Sequence, residues 1–201
     1  KTVVANINTA NASPNHSPHV SLSEPLEPPS PKRGPIEQYY TFGESLSDTL
    51  RKGTRVLDGS DVVIKSYNTE ELTEHEIYKM KNEVKIHDSL CHDNILPMLD
   101  FFETPECCYS VMEFIPGGDL FEMIANRGFL EEVEAANIVL QLLQGIAYLH
   151  DHGFAHRYVF EAFGHKLTRS NLKPENLLCS VGKSESDIRI RISDFGQSKS
   201  F

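Results

Sequence analysis

Positive charge is in short supply in this chain. Nineteen Lys and Arg stand against 29 Asp and Glu, a net charge of −10, which argues against nucleic acid as the main partner. Cysteine is scarce as well. Cys91, Cys107, Cys108 and Cys179 lack zinc-ligand spacing, and the adjacent pair is poorly placed to bond to itself. Reduced thiols and an intracellular, cytoplasmic protein are expected. No apolar run approaches the ~18 residues that span a bilayer, and no basic-apolar leader opens the chain. No membrane partner is expected. Proline is sparse outside one segment, because seven of the eleven lie in residues 1–37, where large apolar residues are few. Such a segment cannot bury enough surface to offset its ordering entropy, so residues 1–37 read as a disordered Pro/Ser-rich tail.

The tail carries Ser13-Pro14, Ser17-Pro18 and Ser30-Pro31, which suit proline-directed phosphorylation or simply reflect low complexity. His16 and His19 read as tail residues rather than metal ligands. The whole 201-residue chain is 39% hydrophobic and 24% charged, enough for one ordinary domain. From Tyr39 the pattern becomes periodic. Residues 39–45, 50–57 and 61–65 read as strands, and 70–90 as a helix with Leu72, Ile77, Met80, Val84 and Leu90 on one face. Residues 94–102 and 107–114 read as two more strands, closed by a turn at Pro116-Gly117-Gly118. A short helix from Asp119 follows, then a long one over 131–150 with Ile138, Leu142, Leu143, Ile146 and Leu149 at a 3.6-residue period.

Several motifs fall in order along this frame: Val62-Val63-Ile64-Lys65, Met112-Glu113-Phe114-Ile115, Leu172-Lys173-Pro174-Glu175-Asn176-Leu177-Leu178, and Asp194-Phe195-Gly196. With them the chain resembles the eukaryotic protein kinases, serine/threonine type, nearest the calcium/calmodulin-dependent group. The resemblance implies an α+β, two-lobed fold. Residues 38–115 would form the small lobe and hinge, and 116–201 the start of a large lobe, truncated after Asp-Phe-Gly. It implies ATP and Mg²⁺ as cofactors, and a protein substrate or scaffold partner. Lys65 would grip the α- and β-phosphates and pair with Glu83. The Glu113 carbonyl and Ile115 amide would bind adenine, with Leu50, Val63 and Leu178 enclosing it and Asp119 meeting the ribose. Asn176 and Asp194 would hold magnesium. Lys173 marks the serine/threonine type.

The chain departs from the family pattern in three places. At the glycine-rich loop, spacing back from Lys65 puts the three glycine positions on Gly43, Ser45 and Asp48. Only the first is glycine, and Asp48 sets a carboxylate near a triphosphate, so weakened nucleotide binding is expected. At the catalytic base, the position falls on Tyr158, counting from His156-Arg157, or on Asn171, counting back from Leu172. A neutral amide can orient a hydroxyl but cannot take its proton. At 158–170, thirteen residues enter what is otherwise a tight loop. They are either a genuine insertion or untranslated sequence carried into a gene model; deleting them restores an almost normal loop, which favours the second. The stripe at Ile138, Leu142 and Ile146 is expected to lack its covering helix and lie exposed. Three functions therefore compete: a serine/threonine kinase fragment, itself inactive; a pseudokinase scaffold; and a non-functional product.

Overall fold

Apolar residues alternating with polar ones build an antiparallel sheet in the first half of the chain. The computed structural model describes residues 31–32, 34–155, 173–182, 187–194 and 199–200. Five strands, β1 (Tyr40–Ser45), β2 (Leu50–Arg55), β3 (Asp61–Asn68), β4 (Met98–Glu103) and β5 (Cys107–Glu113), lie in the order β1-β2-β3-β5-β4. Side chains alternate across a sheet with period two, so β3 serves two faces. Val62 and Ile64 enter a core with Ile36, Tyr40, Phe102 and Val111. Tyr67, two residues beyond Lys65, packs on the other face with Met80, Val84, Phe101 and Cys108.

That second face is covered by helix α1 (Glu74–Asp88). Thr73 caps it, its hydroxyl accepting from the Glu76 amide while the Glu76 carboxylate accepts from the Thr73 amide. This reciprocal cap starts the helix three residues after Glu71, later than the periodicity alone suggests. Met80, Val84, Ile86 and His87 form its buried stripe. The expected strand at 94–102 begins only at Met98. Before it the chain makes a single parallel bridge, Ile95 to Ile192, and the Leu96 amide donates to the Ile192 carbonyl at 2.9 Å.

Helices α2 (Leu120–Arg127) and α3 (Glu132–Asp151) follow, then the two-residue strand β6 (Phe154–Ala155). The hairpin of β7 (Leu177–Val181) and β8 (Ile188–Ile192) lies against α3, and β9 (Lys199–Ser200) pairs with β6. Ile138, Ile146 and Leu149 are buried with Leu177, Ile190 and Ile192, and Leu142 packs against them. The stripe expected to lie exposed is thus covered, because the apolar residues of the β7–β8 hairpin seat on it. Leu143, read as part of that stripe, is instead 57% exposed beside Val139 and Leu140. No helix among the described residues is long and apolar enough to cross a membrane.

Candidate functional site

A cavity of about 390 Å³ opens between the sheet, α1 and the base of the β7–β8 hairpin. That volume suits a small-molecule site. Its charged wall begins with strand alternation: Val63, Lys65 and Tyr67 project from one face of β3 and all line the cavity. α1 brings Glu83 opposite, and the Lys65 ammonium lies 3.3 Å from its carboxylate. The pair is largely withdrawn from solvent, with the side chains 29% and 18% exposed. Burial opposes the Lys65 charge, but the adjacent Tyr67 hydroxyl and Glu83 carboxylate outweigh it and hold the ammonium above the usual lysine range. Burial pushes Glu83 upward, Lys65 draws it back, and Asp194 adds to the rise.

The opposite wall comes from the hairpin. Leu177 pairs with Ile192 as the last rung, so Asn176 and Ser193-Asp194 leave the paired strands side by side. The Ser193 amide and hydroxyl both donate to the Asn176 carbonyl, at 2.9 and 3.0 Å. The Asn176 side-chain amide donates to the Asp194 carboxylate at 3.4 Å. Asp194 has φ 63°, the one non-glycine residue with positive φ among those described. Held backbone of this kind clusters at working sites.

Leu50, Val63 and Leu178 form apolar wall, and Glu113 and Glu175 stand at its edge. Glu113 also lies 3.6 Å from Arg191. Behind it the chain turns at Pro116-Gly117-Gly118. A Cβ on Gly117 would meet the Cys179 carbonyl at 2.3 Å, so only glycine lets this segment close on β7. Ile115 is buried just outside the cavity wall. Asp119 also stands outside it and caps α2, accepting from the Glu122 amide at 2.8 Å. Gly43 and Lys173 are exposed and do not line the cavity. Asn171, His156, Arg157, the segment 158–170, Phe195, Gly196 and the Ser-Pro sites of the tail lie outside the described residues.

With this arrangement in view, comparison with known proteins decides the family. The protein kinase domain family matches residues 38–201. The chain belongs to the protein kinase family. It is similar to a probable myosin light chain kinase of Dictyostelium discoideum, 35% identical over 85% of this chain and 41% of that protein. Myosin light chain kinase A of the same organism is 33% identical over 82% of this chain and 52% of its own length. A calcium/calmodulin-dependent protein kinase type 1 of Caenorhabditis elegans is 37% identical over 60% of this chain and 30% of its own. It is thus of the serine/threonine type near the calcium/calmodulin-dependent group, and spans about half or less of the length of these relatives.

In this kinase domain the β1–β2 turn is closed by its own side chains. The Ser47 hydroxyl accepts from the Thr49 and Leu50 amides at 3.4 and 3.2 Å, and the Ser45 hydroxyl donates to the Ser47 carbonyl. Backbone groups that a glycine-rich loop would leave for an anion are therefore already engaged. Tyr67, His87 and Ser110 are among the cavity residues that escaped the motif reading. Position could have found them. Tyr67 stands two residues from Lys65 on a strand, His87 four from Glu83 on a helix, and Ser110 is the cross-strand partner of Lys65. Buried His87 donates to the Leu96 carbonyl, and burial lowers its pKa to about 4.

Proposed function

We propose that this kinase domain binds ATP with Mg²⁺ in the cavity between Lys65 and Asp194, and that in the intact protein it serves phosphoryl transfer to Ser or Thr hydroxyls of a protein substrate. The observation that carries this reading is one cavity flanked by a fixed ammonium–carboxylate pair, Lys65–Glu83, and by the oxygen-bearing pair Asn176 and Asp194. A triphosphate needs a positive charge that does not drift, and Glu83 restrains Lys65 in that way. The metal test is one of donor chemistry. No group of three or more His, Cys, Asp or Glu among the described residues could hold a metal ion alone. Mg²⁺ is commonly held by one or two protein oxygens with substrate phosphates and waters completing the shell, and Asp194 with the Asn176 amide oxygen fits that pattern. When bound, the ion neutralises charge on the phosphates. Leu50, Val63 and Leu178 would exclude water around the base, with Glu113 and Ile115 offering backbone groups, Asp119 near the sugar and Gly43 at the loop.

By sequence position Asn171 would take the place of the general base; a neutral amide could orient a substrate hydroxyl but not accept its proton, with Lys173 two residues on. Asn171 and the closed β1–β2 turn would slow transfer, and this chain, which spans about half or less of its relatives' length, is expected to bind nucleotide without detectable phosphoryl transfer. A second reading, a pseudokinase that serves as a scaffold, is favoured by the same Asn171, Ser45 and Asp48. The test is a phosphorylation assay on a generic protein substrate beside a nucleotide thermal shift. Binding without transfer supports the proposal. Transfer that Lys65→Met abolishes would overturn the inactivity, and no shift with nucleotide would leave the scaffold reading.

A further inference from the structure

Lys65 has a neighbour that the kinase motif does not require. Its ammonium lies over the ring of Tyr67, 5.1 Å from the centroid, and both residues line the cavity. The geometry follows from the strand, since side chains two apart on β3 share a face. A protonated amine over a phenol ring is held by the ring's negative face, and more strongly where water is excluded. Ser110, cross-strand from Lys65 and only 4% exposed, lines the same end of the cavity with its hydroxyl buried. We infer that Tyr67 is a positioning residue for Lys65: its ring face and the Glu83 carboxylate together fix the ammonium in the cavity, whether or not nucleotide is present. This rests on the nucleotide reading only for its purpose, because the geometry stands without it.

A structural role alone is the competing account, since Tyr67 also packs with Met80, Val84 and Phe101. The two differ in what happens to the Lys65 charge. The groups facing that ammonium are Tyr67 on β3, Glu83 and His87 on α1, and Asp194 beyond β8. His87 is neutral near pH 7, so Glu83 supplies the opposing charge and Tyr67 its ring and hydroxyl.

The experiment is competitive acylation of the full chain with trace acetic anhydride at neutral pH. Lys65 labelling is read by mass spectrometry against exposed Lys79. Tyr67→Leu removes the ring and is expected to raise relative Lys65 labelling roughly three- to tenfold. Tyr67→Phe keeps the ring face but loses the hydroxyl, and is expected to raise the labelling clearly less than Tyr67→Leu does. Phe102→Leu, a core change on the opposite sheet face, is expected to leave the ratio unchanged. An unchanged ratio in Tyr67→Leu would overturn the inference, as would an equal rise in Phe102→Leu. The labelling needs no nucleotide, so a chain that passes this test and shows no ATP shift sinks the nucleotide reading and leaves the Tyr67 role standing.

Discussion

The two sides of the cavity are built by different means. On the side of β3, α1 and the β7–β8 hairpin, charged groups are fixed by secondary structure. Strand alternation sets Lys65, a capped helix sets Glu83, and the last rung of a hairpin sets Asn176 beside Asp194. On the side of the β1–β2 turn, Ser45 and Ser47 spend their hydroxyls on the turn itself, and Asp48 lies at its exposed tip. On the proposed reading the first side would hold phosphates and a metal ion, and the second offers few free groups to cradle them. The difference teaches that charge pairs and an amide cradle are separable parts of a nucleotide site. The first is present here without the second: Lys65–Glu83 ties β3 to α1 and Asn176–Asp194 closes the hairpin base, while the turn bonds to itself.

The largest break should come from Lys65→Met. It removes the positive charge and leaves Glu83 beside Asp194 without its partner. ATP affinity, measured by titration calorimetry, is expected to fall on the order of 100-fold, as when a charged hydrogen-bond partner is lost. A loss below about threefold would place phosphate recognition elsewhere.

Next in size is the effect of pH on the same side. His87 is buried on α1 one turn from Glu83, and its pKa in the folded state is about 4, below the ordinary value of 6.5. The unfolded chain therefore binds the proton more readily between those values. The stabilising contribution is complete above pH 6.5 and is lost as pH falls toward 4, on the order of 2–3 kcal/mol in all. Urea unfolding across that range should show the slope, and His87→Leu should flatten it. A slope that survives in His87→Leu assigns it to other groups.

The smallest effect lies on the eroded side. Asp48→Gly removes a carboxylate and frees the backbone at the tip of the turn. ATP affinity should rise by roughly three- to tenfold at low salt, and less at high salt, as expected of an exposed charge. No gain would mean that the turn does not approach the phosphates at all.

Much of this was legible in the sequence because it rests on local rules. Periods of 2 and 3.6 located the strands and helices to within a few residues, and the family resemblance pointed to Glu83 as the partner of Lys65. The limits were set by contacts distant in sequence. The start of β4 was misread because Asn94 and Leu96 hydrogen-bond to Ile192, about a hundred residues away. The α3 stripe was expected to lie bare because nothing local shows that Ile190 and Ile192 cover it. Asp119, expected to meet a ribose, also caps α2, a role its motif did not reveal. Tyr67, His87 and Ser110 belong to no motif, and only the fold brings them to the cavity.

The most direct test of the central claim is a thermal-shift titration of the full chain with ATP, with and without Mg²⁺, alongside Asp194→Ala. The account predicts a rise in Tm with ATP that Mg²⁺ enlarges, and loss of the Mg²⁺-dependent part in Asp194→Ala. The same Mg²⁺-dependent rise in Asp194→Ala, or no rise in the parent chain, would contradict it.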